Sequence, residues 1–241
     1  MMLNLKTIPL FAAGLLTMAT CGFLHAQQSN PAYAQVEDQP GLPRVLLLGD
    51  SISIGYTVAV RNELKGIANV HRPPENCSST RTGLQKIEKW LGEKPWDVIH
   101  FNFGLHDLKY VAGDSADLVP VTTANAHRQV PLEEYEKNLE TIVQKLKQTG
   151  AKLIWCNTTP VPDGARGRVP ADVAVYNAAA LKVMQKNQIE IDNLYDFALP
   201  KLGDIQRSRD VHYTPDGSKI LASQVASSIK AKLQSSAKPV Q

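Results

Sequence analysis

Ser51, His212 and Asp210 are residues whose types and settings could together do covalent chemistry in this 241-residue chain. Ser51 closes a stretch in which the run Val45-Leu46-Leu47-Leu48 stops at Gly49-Asp50-Ser51. An unbroken run of branched aliphatics reads as a strand buried on both faces. It delivers one hydroxyl to the carboxyl-terminal edge of a sheet, where open parallel sheets bind ligands. A serine in that place is also a common helix cap, and its hydroxyl becomes a nucleophile only when a base accepts the proton. His212 can be that base. It stands in Arg209-Asp210-Val211-His212-Tyr213-Thr214-Pro215, after the last expected strand and before the last expected helix, hence at the same edge. Asp210, two residues earlier, could hold the other ring nitrogen and stabilise the imidazolium as it forms. Equally, Asp210 and Thr214 could be turn and cap residues around a surface histidine. The other histidines are less suggestive: His100 lies inside an apolar strand and reads as a satisfied core residue, and His127 has no companion motif.

From residue 44 onward, short apolar runs alternate with amphipathic stretches, the pattern of repeated strand-helix units around a parallel sheet. A helix is expected over residues 51–65 with Gly66 as its stop, and a weak strand over 68–71. Residues 72–82 read as a loop, 83–91 as a helix and 96–101 as a third strand. Residues 108–129 show no clear period and are long for a connection, which favours a functional loop. Pro131 opens a helix whose Leu132, Tyr135, Leu139, Ile142 and Leu146 recur every three or four residues. Strands follow over 152–156 and 189–194, with a helix over 171–187 between them. A last helix over 215–233 carries Leu221, Val225 and Ile229 on one stripe.

The length suits one domain with a full core. Net charge is only +3, and Lys and Arg are scattered among Asp and Glu, so nothing points to a nucleic-acid partner. Lys6, the apolar segment from Ile8 through Leu24 and the small Ala26 read as a secretory signal peptide over 1–26, with a retained amino-terminal anchor as the rival. The expectation is therefore a secreted or periplasmic protein, with no membrane insertion after signal removal. A polar linker over 27–43, a catalytic domain over 44–235 and a tail over 236–241 would follow. Cys77 and Cys156 could form one disulfide or be buried free thiols, and the latter is favoured. No metal or cofactor is expected, because no His-x-x-x-His, Cys-x-x-Cys or P-loop spacing is present.

Gly49-Asp50-Ser51-Ile52-Ser53, the block Gly104-Leu105-His106-Asp107 and the terminal Asp210-Val211-His212 together resemble the SGNH, or GDSL, hydrolase superfamily. The resemblance runs in block order through nearly all of residues 44–233. It implies an α/β, flavodoxin-like three-layer α/β/α sandwich with a five-stranded parallel sheet, and hydrolysis of esters or thioesters. It implies Ser51 as nucleophile, His212 as general base and then acid, and Asp210 as the orienter of His212. The family spaces its acid three residues before the histidine, where this chain has Arg209; with Asp210 one residue closer, a Ser-His dyad is the alternative.

An oxyanion needs hydrogen-bond donors, each worth about 3 to 4 kcal/mol. By resemblance, the Ser51 amide supplies one. A second comes from the loop after the second strand, where Ser78 is the choice by position, with Cys77 next and Gly83 as alternative. The family's asparagine donor is replaced by His106, whose neutral imidazole can still donate once; Asn102 is the other candidate. Asp107 is expected to pin its loop by structural hydrogen bonds.

The implied substrate is a small-molecule or glycan ester, with O-acetyl groups on a carbohydrate first. Tyr110, Arg128, Arg166 and Arg168 are possible contacts from the flanking loops. The same Ser51 and His212 would serve a lipase, thioesterase or acyltransferase, and the altered His106 and Asp210 positions leave open a non-catalytic glycan-binding module.

Overall fold

The structure, a computed structural model, describes residues 30–235. The expected signal peptide, the first part of the linker and the tail over 236–241 lie outside the described residues. β1 (Arg44–Leu48) sits between β2 (Asn69–His71) and β3 (Val98–Phe101), and the sheet continues through β6 (Lys152–Cys156) to β7 (Glu190–Asp192). The order is β2-β1-β3-β6-β7, and every pairing is parallel. The chain reverses its direction of travel across the sheet between β1 and β3. Sheets of this kind open a crevice beyond the strand ends at that reversal; Asn102 directly follows β3, and Ser51 follows β1 after Gly49 and Asp50.

Val45 through Leu48 are at most 1% exposed, as expected for a strand covered on both faces. α1 (Ser51–Glu63) and α7 (Pro215–Gln234) pack together as one layer. α2 (Thr80–Leu91), α3 (Leu132–Gln148) and α4 (Pro170–Asn187) form the other. The result is the expected three-layer α/β/α sandwich. On α3 the buried stripe is Tyr135, Leu139, Ile142, Val143 and Leu146. Glu133 and Glu134 lie in its first turn and Lys145 and Lys147 in its last, in the sense that suits the helix dipole.

Some elements differ from the expectations. α2 begins at Thr80 rather than at residue 83, because Asp107 supplies an acceptor to the Thr80 N–H at 2.8 Å and starts the helix early. The aperiodic stretch after residue 108 contains a small antiparallel hairpin, β4 (Tyr110–Ala112) with β5 (Ala126–Arg128). β7 is three residues long. After it the chain turns helical, through α5 (Leu194–Ala198), a 3-10 turn at Leu199–Lys201 and α6 (Leu202–Ile205).

The stretch read as a linker packs on the domain where it is described. Pro31–Tyr33 form a 3-10 turn, Ala32 is buried, and Asp38 meets Arg44 at 3.1 Å and His71 at 2.7 Å. Cys77 and Cys156 are both buried and unpaired. Among the described residues no helix is long and apolar enough to cross a membrane.

Candidate active site

β1 ends in a tight strand-to-helix turn. Asp50 caps α1 by accepting the Ile52 N–H at 2.9 Å, a cap of the kind worth about 1 kcal/mol, which leaves Ser51 as the first helical residue. The Ser51 N–H has no partner among the described residues, as befits a helix start.

The turn is braced by a residue that the sequence did not single out. Arg72, buried just beyond β2, donates from Nη2 to the carbonyls of Gly49 and Glu75 at 3.3 and 3.2 Å. Its Nη1 reaches the hydroxyls of Ser53 and Thr57 at 3.2 and 3.0 Å, and its Nε donates to the Pro73 carbonyl at 3.2 Å. One guanidinium thus ties the end of β1 to the first two turns of α1. Every partner is a neutral oxygen, and a buried arginine with such a set carries no sequence pattern.

His212 arrives from the other end of the chain. The Arg207 N–H donates to the His212 carbonyl at 2.9 Å and the Asp210 N–H to the Arg207 carbonyl at 3.2 Å, folding residues 207–212 into a compact turn. Arg209 holds a left-handed conformation there, with φ of 55°. That twist swings Asp210 under the imidazole. His212 Nδ1 lies 2.7 Å from Asp210 Oδ1, and His212 Nε2 lies 2.9 Å from Ser51 Oγ. Asp210, His212 and Ser51 are therefore one hydrogen-bonded chain, while Thr214 caps α7 by accepting the Gly217 N–H at 2.9 Å. Burial would raise the Asp210 carboxyl, but hydrogen bonds from the His212 backbone and ring, with the charges of His212 and Arg207, hold it below the ordinary value. An open groove of about 310 Å³ runs past the pair, lined by Ser51, Ile54, Gly55, Arg207, His212 and Ser218.

The oxyanion candidates separate clearly. The Ser78 amide is already used, donating to Asn76 Oδ1 at 2.8 Å in a left-handed turn with φ of 56°. The Cys77 amide donates to the Gly49 carbonyl at 3.2 Å, and the Gly83 amide to the Ser79 carbonyl inside α2. Asn102 Nδ2 donates to the Cys156 carbonyl at 2.8 Å and so braces β3 against the end of β6. The Ser78 amide is thus committed to Asn76, and Asn102 Nδ2 faces the Cys156 carbonyl and, at 3.5 Å, the Thr158 hydroxyl. What Ser78 offers instead is its hydroxyl, 3.3 Å from His106 Nδ1. His106 Nε2 has no partner among the described residues. Burial pushes the His106 ring down to about 4, so the imidazole is neutral at ordinary pH.

The loop that carries His106 is held at both ends. A Cβ on Gly104 would lie 2.0 Å from Thr158 Oγ1, so only glycine fits there. Asp107 Oδ1 accepts from the Thr80 N–H at 2.8 Å and the Thr80 hydroxyl at 2.5 Å, which is the pinning role expected of it. Complete burial outweighs those bonds and raises the Asp107 carboxyl to about 7.

Of the four loop residues considered as substrate contacts, Arg128 is bound bidentately to Asp172 at 2.8 and 2.6 Å, and Tyr110 opens β4. Arg166 is exposed, and Arg168 is half-buried with Nε donating to the Leu105 carbonyl at 3.0 Å.

One cluster away from Ser51 has the residue types of a metal site. His100, Cys156 and Asp192 lie together in the core. Asp192 is engaged by His100 at 3.0 Å and Gln224 at 2.9 Å, and burial raises the Cys156 thiol well above its ordinary value. A protonated thiol beside an occupied carboxylate is a poor donor set for a metal.

The sequence profile of the GDSL-like lipase/acylhydrolase family matches residues 47–220. No functionally curated protein matches the chain by sequence. Solved structures with a similar fold include a lipase/acylhydrolase from Enterococcus faecalis, 18% identical with a TM-score of 0.64, over 79% of this chain and 97% of that one. The acetyl xylan esterase AlAXEase is also 18% identical, with a TM-score of 0.62 over 77% of this chain and 99% of that one. Axe2, an acetylxylan esterase from Geobacillus stearothermophilus, is 16% identical with a TM-score of 0.60, over 78% of this chain and 94% of that one. At such identities the likeness speaks for the architecture.

Proposed function

The chain belongs to the GDSL-like lipase/acylhydrolase family and is a serine ester hydrolase, and from that we propose that it removes O-acetyl or other short acyl groups from a carbohydrate or other polar ester. The observation that carries the mechanism is the unbroken chain from Asp210 through His212 to Ser51, at 2.7 and 2.9 Å.

In this reading Ser51 Oγ attacks the acyl carbon as His212 Nε2 takes its proton, and Asp210 steadies the imidazolium. The tetrahedral oxyanion is met by the Ser51 N–H and by His106. With the Ser78 hydroxyl donating to Nδ1, the ring hydrogen is assigned to Nε2, the nitrogen left without a partner. His212 then gives its proton to the departing sugar oxygen, leaving the acyl group on Ser51. Water, deprotonated by His212, attacks that ester, and His212 returns the proton to Ser51 Oγ as the carboxylic acid leaves.

A glycan is supported by two of the similar folds, which are named as acetyl xylan esterases. Action outside the cytoplasm, secreted or periplasmic, is supported by the basic-then-apolar start of the chain.

The test is release of acetate from acetylated glycans against release of long-chain fatty acid from lipid, by wild type and by Ser51→Ala. Acetate release that disappears in the variant is expected. Faster release of fatty acid would move the substrate to lipids, and equal rates in the two proteins would remove Ser51 from the mechanism.

A further inference from the structure

Arg168 lies on the loop between β6 and α4, tied by its Nε to the carbonyl of Leu105, the residue before His106. Its two terminal nitrogens have no partner among the described residues. The guanidinium is close enough to Asp50, Asp210 and His106 for their charges to be felt, and yet bonds to none of them.

The backbone beneath it is firmly placed. Gly167 is left-handed, with φ of +63°, and a Cβ there would lie 2.5 Å from the Val119 carbonyl. Its own carbonyl accepts the Tyr110 N–H at 2.8 Å, at the start of β4. Four residues beyond Arg168, Asp172 is gripped by Arg128 of β5. The hairpin β4–β5 therefore clamps the chain on both sides of Arg168.

A rigidly presented, half-buried guanidinium with two open terminal nitrogens is an unfinished anion site, because its fork geometry is made for a planar carboxylate and no carboxylate is bonded to it. The carboxylates within range are committed: Asp50 caps α1 and Asp210 orients His212. Other cations add to the imbalance, with Lys109 near Arg168 and Arg207 lining the groove beside Ser51.

We propose that the substrate supplies the missing anion: the ester cleaved at Ser51 sits on a sugar that also bears a carboxylate, and Arg168 receives that carboxylate. This rests on the ester-hydrolase reading and narrows it to acylated acidic glycans.

The test compares an acetylated methyl glucoside with the corresponding acetylated methyl glucuronide, which differ in a hydroxymethyl against a carboxylate. At low salt the wild type should favour the glucuronide by roughly tenfold or more in kcat/KM, a preference that salt erodes. Arg168→Gln should lose most of that preference by falling far more on the glucuronide than on the glucoside, and Arg168→Lys should retain part of it. Binding of the two sugars to Ser51→Ala, read by calorimetry, should show the same preference, absent from Ser51→Ala/Arg168→Gln. Equal treatment of the two sugars by the wild type, or equal losses on both in Arg168→Gln, overturns the proposal. If no ester is hydrolysed at all, the ester-hydrolase reading falls, and the binding comparison still decides the anion site.

Discussion

Asp210 Oδ1 takes two hydrogen bonds from a single residue, His212, which donates its backbone N–H at 3.1 Å and holds its ring Nδ1 at 2.7 Å. The acid therefore fixes both where the histidine sits and how its ring is turned.

Asp210→Asn keeps an oxygen for the backbone N–H and removes the charge that stabilises the imidazolium. Turnover should fall by about two to four orders of magnitude with little change in melting temperature. Steady-state kinetics beside a thermal melt checks this, and a variant as active as wild type would reduce the site to a Ser-His dyad. The carboxyl is held below its ordinary value of 3.8, so its stabilising share is present above that pH and is lost as pH falls through the lower folded value.

His106→Ala should lower kcat by about a hundredfold to a thousandfold with a small change in KM, whereas His106→Asn restores an amide donor and should recover most of it. Unchanged turnover in His106→Ala would take the residue out of the oxyanion site. The ring's pKa is about 4 when folded against 6.5 ordinarily. The unfolded chain thus binds the extra proton between those values, and stability falls as pH drops through that window. Denaturant titrations from pH 7 to 4 should show an acid-side loss that shrinks in His106→Asn.

Asp107 works in the opposite sense. Its carboxyl is raised to about 7 from 3.8, so the folded protein holds the extra proton and stability falls as pH rises across that interval. Asp107→Asn retains an acceptor for Thr80 and should flatten the dependence between pH 4 and 7. Asp107→Ala should lose about 1 to 3 kcal/mol by stranding the Thr80 donors. An Asn variant with the wild-type slope would place the pH dependence elsewhere.

Arg72→Met removes five hydrogen bonds from the turn under Ser51 and should destabilise by roughly 2 to 4 kcal/mol. Arg72→Lys should regain some stability. Its kcat should stay low with KM nearly unchanged, since one ammonium cannot hold both the Gly49 carbonyl and the α1 hydroxyls. Full recovery of kcat by lysine would make Arg72 a matter of stability alone.

The elements legible in the sequence were those whose own side chains decide them. The aliphatic run of β1 and the stripes of α3 and α7 state their burial locally, and Ser51 and His212 follow from lying at strand ends. What could not be read depends on distant partners. Thr80 starts α2 because Asp107 reaches it across 27 residues, and the three-residue strands β4 and β5 are too short to show a period. The availability of Ser78 and Asn102 as oxyanion donors is not legible in the sequence, because it depends on what else their N–H groups meet, here Asn76 and the Cys156 carbonyl. Asp210 could be placed under His212 only through the left-handed Arg209, a conformation that no residue pattern in the loop announces.

Ser51 and His212 are separated by 161 residues, and the histidine is delivered by the turn that leads into α7. At about 5 to 20 residues per second of synthesis, the nucleophile waits roughly 8 to 30 s before its base has even been made. The half-built chain is therefore inert toward the esters around it. Activity therefore requires both ends of the domain, because the turn that carries His212 leads directly into α7, which packs on the α1 that Ser51 begins.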